Sequence, residues 1–347
     1  MKNGFKYNLS LFITFTFIFF TSPAFGKLKL GLVLDKGGVD DKSFNASAYK
    51  GALQARDRLR MEVKYVEATD DNAYETLLRG FAEKKYDLII AVGIGQASAV
   101  KKVAAQYPNN KFVIIDSEVN APNVRSLLFK EHEGSYLVGA IAALMSKSGK
   151  IGFIGGMDIP LIRRFQMGYE AGAKKINPKT EIFSNYIGVT SEAWNNPPKA
   201  KEIALSQYGK NADVIFAAAG ASGIGLFDAA EEKKKFAIGV DSNQNWVKPG
   251  FILTSMMKRV DTAVFLTCDD FAGGAFTSGT KQYGLMSGAI DYSLDEHNKK
   301  LLSKDIISKI DKLKEDIVSN RIKVPDYYLA PKIEKNKLGR SKSGNSK

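Results

Sequence analysis

Short apolar stretches rich in β-branched residues alternate with longer amphipathic stretches along the chain. The apolar stretches predict buried strands, and the amphipathic ones predict helices that cover a sheet. In the first part of the chain, strands are predicted at 29–34, 62–67, 87–92, 111–116 and 125–129, and helices at 46–59, 73–84 and 97–106. Continuous apolar strands separated by helices are typical of parallel sheets, so this part predicts one doubly wound lobe.

The same pattern starts again in the second part of the chain. Strands are predicted at 150–154, 181–187, 214–218, 236–240 and 252–256, and helices at 134–145, 162–175, 198–207, 223–232, 258–274 and 298–319. The sequence therefore predicts an α/β protein with two doubly wound lobes that face each other across a cleft. The chain is expected to cross between the lobes more than once. Ligands of such sheets bind outside the carboxyl ends of the strands.

The first 26 residues predict a cleavable export signal. Lys2 and Lys6 precede an apolar run over 9–20, and Ala24 and Gly26 are small residues of the kind a signal peptidase recognises. The run is shorter than the roughly 20 residues that a permanent membrane helix needs, although an uncleaved anchor is the alternative. Because no cysteine lies near this junction, a soluble periplasmic protein without a lipid anchor is expected.

The formal net charge of +13 is spread unevenly along the chain. Residues 331–347 are rich in Lys, Ser, Gly and Asn, and this basic tail is expected to be disordered. Nucleic-acid binding is not expected, because the protein is exported and its basic residues are not interleaved with exposed aromatic ones. Solubility or attraction to an anionic membrane surface explains the excess better. Cys268, the only cysteine, is predicted to be a core residue.

Motifs for catalysis or cofactor binding are weak in this sequence. Gly93 and Gly95 lie between a strand and a helix, but Ser98 replaces the third glycine of a dinucleotide-binding fingerprint. His132 and His297 are the only histidines, and both lie among charged residues, so solvated surface positions are expected. No nucleophile elbow or zinc-protease motif occurs. No catalytic residue, metal site or cofactor is predicted.

Polar and aromatic residues gather at the predicted carboxyl ends of the strands. They are Asp35, Phe44, Asn45, Asp116, Trp194, Gly220, Asp241 and Lys258. Acids at strand ends often cap helices or form turns, but so many at one edge predict a ligand site. Carboxylates there accept hydrogen bonds from sugar hydroxyls or ring N–H groups. Phe44 and Trp194, from opposite lobes, can clamp a flat ring.

The segment 31–45, GLVLDKGGVDDKSFN, resembles the opening signature of the basic membrane protein family of ABC-transporter substrate-binding proteins. That family includes bacterial purine nucleoside receptors. Further motifs similar to those of the family follow in order at 112–116, 153–157, 168–173, 239–244 and 254–261, and the likeness covers about 29–325. The resemblance implies a type I periplasmic binding protein, with two Rossmann-like lobes joined by three crossovers.

The implied ligand is a nucleoside, with a purine expected. By the resemblance, Asp35 and Asn45 would bond the base and Phe44 would stack on it. Trp194 stands where the family usually has Phe and still offers a stacking surface. These residues would form the base end of the site.

The remaining predicted site residues would surround the ribose. By the same resemblance, Asp241 would accept the ribose hydroxyls with Lys258 nearby, and Asp116 would lie near the ligand. Gly220 would allow close approach of the backbone. Three readings of the residues stay open besides the nucleoside receptor: a receptor for a sugar or other small polar metabolite, a nucleoside-sensing subunit, and an exported enzyme acting on nucleosides.

The resemblance also implies a domain arrangement and a partner. The N-terminal lobe is predicted to comprise 27–128 plus 258–282, and the C-terminal lobe 129–257 plus 283–330. The expected partner is an ABC permease in the inner membrane, which would receive the nucleoside from a monomeric receptor.

Overall fold

The computed structural model describes Met1 and residues 27–330. Apart from Met1, the predicted export signal lies outside the described residues, as does the predicted basic tail at 331–347. Among the residues described, none of the helices combines the length and the apolar character that crossing a bilayer requires.

The described residues form strands and helices that alternate along most of the chain. The strands are β1 (Lys29–Leu34), β2 (Glu62–Glu67), β3 (Leu88–Val92), β4 (Lys111–Ile115), β5 (Val124–Phe129), β6 (Lys150–Met157), β7 (Glu181–Gly188), β8 (Val214–Ala218), β9 (Phe236–Asp241), β10 (Ile252–Lys258), β11 (Gly279–Tyr283) and β12 (Ile290–Tyr292). The helices are α1 (Phe44–Leu59), α2 (Ala73–Glu83), α3 (Ala97–Gln106), α4 (Glu131–Met145), α5 (Pro160–Ile176), α6 (Pro197–Gly209), α7 (Gly223–Lys233), α8 (Val260–Ala272) and α9 (Lys304–Val318).

The strands assemble into two six-stranded sheets. The first has the order β11-β5-β4-β3-β1-β2 and the second the order β12-β10-β9-β8-β6-β7. All neighbouring strands run parallel except β10 and β12, which are antiparallel. The predicted fold class, two parallel-sheet lobes of the periplasmic-binding type, is confirmed.

The chain crosses between the two sheets three times, as their strand membership shows. It passes to the second sheet between β5 and α4, returns between β10 and α8, and crosses again between β11 and β12. The predicted lobe boundaries at residues 128, 257 and 282 stay a prediction.

Buried strands lie where the apolar pattern places them, and the edge strands β2 and β7 were also predicted, whereas the edge strands β11 and β12 were not. Every residue of β3 and β8 is buried. By contrast, β11 has the sequence GTKQY and is mostly exposed, and β12 is only three residues long. The final helix begins at Lys304, six residues later than predicted, where the Ser303 side chain caps it by accepting from the backbone N–H of Ile306 at 3.3 Å. The buried Asn298 lies before the helix and donates to the carbonyl oxygens of Leu253 and Ser293.

Helices α4 and α5 pack at unusually short range through glycines. A Cβ atom added at Gly172 would collide with the carbonyl oxygen of Tyr136. One added at Gly139 would collide with the carbonyl oxygen of Tyr169. Because the obstacles are backbone atoms, a larger residue could be accommodated only if the helices moved apart.

Replacing Gly172 by alanine is therefore expected to lower the free energy of unfolding by about 1–3 kcal/mol. The matched control is Gly80→Ala on α2, where a Cβ would meet nothing within 4 Å. This control should be neutral or should stabilise by about 0.5–1 kcal/mol, because alanine favours the helix over glycine. Denaturant unfolding of both variants tests the packing, and equal stabilities of the two would contradict it.

Candidate ligand site

A cavity lies between the carboxyl ends of the strands of the two sheets. All eight residues predicted for the ligand site line it, namely Asp35, Phe44, Asn45, Asp116, Trp194, Gly220, Asp241 and Lys258. Lys36, Asp41 and Phe165 also line the cavity and were not predicted. The structure thus brings the predicted residues together, while their contact with a ligand stays a prediction.

The loop between β1 and α1 holds the acidic groups of the first lobe. The Asp35 carboxylate accepts from the backbone N–H of Lys36 at 2.8 Å and from the hydroxyl of Tyr74, both at Oδ1. The Asn45 side chain accepts from the Asp35 N–H at 2.9 Å. Burial raises the pKa of Asp35. With Oδ1 engaged twice, Oδ2 is the oxygen left for a ligand.

Asp41, not the residue before the helix, caps the start of α1. Its carboxylate accepts from the backbone N–H groups of Ser43 and Asn45 at 2.8 Å and of Ala46 at 3.0 Å. These bonds satisfy donors that a helix start otherwise leaves free. They also fix Phe44, the first residue of α1, at the wall of the cavity.

Two aspartates at equivalent strand ends have left-handed backbone conformations. Asp116, just after β4, has φ 70°, and Asp241, at the end of β9, has φ 65°. Non-glycine residues rarely adopt this conformation, and such strain concentrates at functional sites. Gly220, just after β8, has φ 57°, and there glycine adopts positive φ without cost.

The buried ammonium group of Lys258 lies at the end of β10, on the floor of the cavity. Its Nζ donates to Asp116 Oδ2 at 2.6 Å and lies 3.2 Å from Glu131 Oε1. The ring centroids of Phe44 and Phe129 are 5.2 and 5.0 Å away. Burial disfavours the charged form, but these two carboxylates and that of Asp241 outweigh it and raise the pKa of Lys258 above its usual value.

Asp116 has one oxygen engaged and one free. Its Oδ2 accepts from Lys258, whereas its buried Oδ1 has no hydrogen-bond partner among the residues that the structure describes. A buried acceptor without a partner is costly, and native proteins rarely leave one. In a cavity wall it is suited to accept a hydrogen bond from a bound molecule.

Direct hydrogen bonds join the two lobes on one side of the cavity. Ser43 Oγ donates to Asp241 Oδ2 at 2.6 Å, and Ser242 Oγ donates to the Ser43 carbonyl at 2.9 Å. Gln244 Nε2 donates to the carbonyl of Lys42 at 3.1 Å. Since each bond connects the β1–α1 loop with the segment after β9, the structure represents a closed arrangement of the lobes.

A second set of contacts joins the lobes at the opposite rim. Lys36 Nζ lies 2.7 Å from Glu192 Oε1, and Ser191 Oγ donates to Asp71 at 2.9 Å. Glu192 and Asp71 are largely exposed, although the Lys36 side chain is only 14% exposed, so the contribution of this rim to closure is small, about 0–1 kcal/mol for such a surface pair.

The expectation that His132 is solvated was wrong. Its side chain is buried on α4, with Nε2 3.9 Å from Asp326 Oδ2. Burial and the nearby Arg164 lower the pKa of His132 to about 4, so it is neutral at pH 7. His297 is partly exposed. Cys268 is buried, as predicted.

Two facing lobes with a polar and aromatic cavity between them define a solute-binding protein of the periplasmic type. The family model described as ABC transporter substrate-binding protein PnrA-like matches residues 28–327. The chain therefore belongs to the Bmp family of ABC-transporter substrate-binding proteins, and the predicted resemblance is confirmed. Members of this family bind solutes outside the cytoplasm, and it is not a family of enzymes.

Relatives and solved structures agree with this assignment. The chain is 37% identical over 321 residues to the CD4+ T-cell-stimulating antigen of Listeria monocytogenes, covering 86% of this chain and 88% of that one. It is 35% identical over 322 residues to the ABC transporter nucleoside-binding protein BmpA of Lactococcus lactis, covering 86% and 89%. A crystal structure of an ABC transporter solute-binding protein from Aeropyrum pernix superposes with a TM-score of 0.80 at 29% identity, covering 90% and 98%.

Asp241 is expected to make stability depend on pH. Burial raises its pKa to about 6, so the folded protein holds this proton more tightly than the unfolded chain does. The stabilisation from the protonated form is present below pH about 4 and is lost as the pH rises through about 6. Asp241→Asn, which keeps an acceptor for Ser43, should therefore increase the free energy of unfolding at pH 8 by about 1–3 kcal/mol.

Denaturant titrations of wild type and Asp241→Asn at pH 4 and pH 8 measure this effect. The gain should shrink towards zero at pH 4. A variant that is less stable than wild type at pH 8, or a gain of equal size at both pH values, would contradict the account.

Proposed function

We propose that this substrate-binding protein captures a nucleoside, with a purine expected, in the cavity between its lobes and delivers it to an ABC permease. The observation that carries the proposal is the composition of the cavity wall. Aromatic rings of Phe44 and Trp194 come from opposite lobes, and buried carboxylates line the same cavity. Stacking of a base on such rings contributes about 1–3 kcal/mol per base.

The carboxylates supply acceptors for the hydroxyl groups of a ribose. Asp116 Oδ1 is buried without a partner among the described residues, and Asp241 engages Ser43 through Oδ2. Hydrogen bonds from hydroxyls to buried carboxylates contribute about 1.5–3 kcal/mol each. The Lactococcus lactis relative, named as nucleoside-binding, supports the same ligand class.

The charges around the cavity favour an uncharged ligand. Four carboxylates line the cavity, whereas only two lysines do, so a negatively charged ligand would meet a wall of net negative formal charge. A phosphate group would add further charge at a site that excludes water. We therefore propose that nucleosides bind and their 5′-monophosphates do not.

Closure is the proposed signal to the permease. The lobes would rotate about the three crossovers as hinge-closing receptors do, and the bonds that Ser43 makes across the cleft would hold the closed form. The proposed lobes are 27–128 plus 258–282 and 129–257 plus 283–330. The receptor is proposed to be a periplasmic monomer, exported by the signal over residues 1–26.

Thermal unfolding with adenosine, guanosine, inosine, uridine or ribose tests the ligand class. Purine nucleosides should raise the midpoint of unfolding, because a ligand that binds only the folded state stabilises it. No shift with any nucleoside at about 1 mM would reject the proposal. A shift with ribose alone would indicate a sugar receptor, and release of free base from inosine would indicate an enzyme.

Asp241→Ala is expected to weaken nucleoside binding at least about tenfold in isothermal titration, because a buried acceptor is lost. Asp228→Ala is the control, since Asp228 is an exposed residue of α7 that pairs with Lys248 away from the cavity. Wild type should bind inosine at least about a hundredfold more tightly than inosine 5′-monophosphate. An unchanged affinity in Asp241→Ala would remove this residue from the site.

A further inference from the structure

Buried charged side chains extend from the cavity into the second lobe. On the side of Lys258 that faces away from the cavity lies Glu131, the first residue of α4, just after the crossover that follows β5. Glu131 does not line the cavity, and its side chain is 1% exposed. Each of its oxygens meets a different cation. Oε1 lies 3.2 Å from Lys258 Nζ, and Oε2 accepts from Arg164 Nη1 at 2.9 Å.

Arg164 on α5 fixes Glu131 from the far side. Its guanidinium also donates to the carbonyl oxygen of Phe129 and makes two hydrogen bonds to Asp326, at 2.8 and 2.7 Å. The ring of Tyr328 lies 4.8 Å from the same guanidinium. Asp326 and Tyr328 belong to the segment that follows α9. Two ion pairs, Asp326–Arg164 and Arg164–Glu131, therefore connect this segment to the carboxylate that contacts Lys258.

The consequence for the cavity follows from the electrostatics of a buried ammonium. Lys258 is held by Asp116 towards the cavity and by Glu131 away from it. With Glu131 neutral, Asp116 would remain the nearer carboxylate and would draw the ammonium towards itself, because a buried cation needs a partner. Asp116 would then be less available to a ligand, although no atom lining the cavity had been changed.

We propose that Glu131 is a positioning residue for ligand binding, held in place by Arg164 and Asp326, which sets the Lys258–Asp116 pair at the cavity floor. The inference rests on the proposed function. It assigns the segment around Asp326 a role in ligand affinity, although that segment does not line the cavity.

The test uses variants of nearly the same shape that remove the negative charge and turn one accepting oxygen into a donating NH2 group, Glu131→Gln and Asp326→Asn, with inosine as the probe. Asp270→Asn is the matched control, because Asp270 pairs with the buried Arg125 at 2.7 Å in the first lobe, away from Lys258. We expect the dissociation constant to rise at least about tenfold in Glu131→Gln and about threefold or more in Asp326→Asn. In Asp270→Asn it should change less than about twofold, whatever the loss of stability.

The double variant separates positioning from a general loss of stability. If Asp326 acts through Glu131, then Asp326→Asn should weaken binding no further in a Glu131→Gln background. An equal loss in both backgrounds, or an equal loss in Asp270→Asn, would overturn the proposal. If Glu131→Gln fails to fold, the dissociation constants of Asp326→Asn and Asp270→Asn for inosine still test the proposal.

A readout on Lys258 itself does not depend on the nucleoside. At constant neutral pH, the Cε and Hε chemical shifts of Lys258 should change in Glu131→Gln, because the ammonium loses a carboxylate 3.2 Å away, and should stay the same in Asp270→Asn. If wild type binds no nucleoside, the proposed function fails while this NMR comparison still tests the support of Lys258. An unchanged Lys258 in Glu131→Gln would overturn the inference in either case.

Discussion

The buried ammonium group of Lys258 constrains the arrangement of the whole site. A charge removed from water must be paired and hydrogen-bonded, or the fold loses several kcal/mol. Here the partners are Asp116, after a strand of the first sheet, and Glu131, at the start of a helix that packs in the second lobe. The ion pair between Lys258 and Glu131 therefore links the cavity floor to the crossover between the lobes.

Several features of the same site lower the stability of the protein when no ligand is bound. Asp116 and Asp241 have strained backbones, and burial raises the pKa of both carboxyl groups. One oxygen of Asp116 lacks a partner among the described residues. These features are unfavourable in the protein alone, and under the proposed function hydroxyl groups of a ligand would supply the donor that Asp116 lacks. A captured solute would thus complete the core of the closed form.

Most of the fold and much of the cavity wall could be predicted from the sequence. Buried parallel strands are continuous apolar runs, and their carboxyl ends converge, so Asp35, Asp116 and Asp241 could be placed at one edge. Strand β11 could not be predicted, since its sequence, GTKQY, contains no apolar run. Its recognition needs the pairing partner β5, which lies far away in sequence.

The buried ion pairs of Arg164 with Glu131 and Asp326, behind the cavity, were not predicted, and the reason is different. Glu131 and His132 stand in a charged segment that is typical of a solvated helix start. Their burial depends on Arg164 and Asp326, which approach only after the chain has crossed between the lobes. Local pattern carries no information on such pairing, because each partner taken alone has the sequence signature of a surface residue.

A crystal structure of the protein with inosine tests most directly whether the cavity encloses a nucleoside between two aromatic faces and beside buried carboxylates. The account predicts the base between Phe44 and Trp194, with a hydroxyl or N–H group of the ligand donating to Asp116 Oδ1. Inosine bound on an outer surface, or bound in the cavity with that oxygen still unpaired, would contradict it.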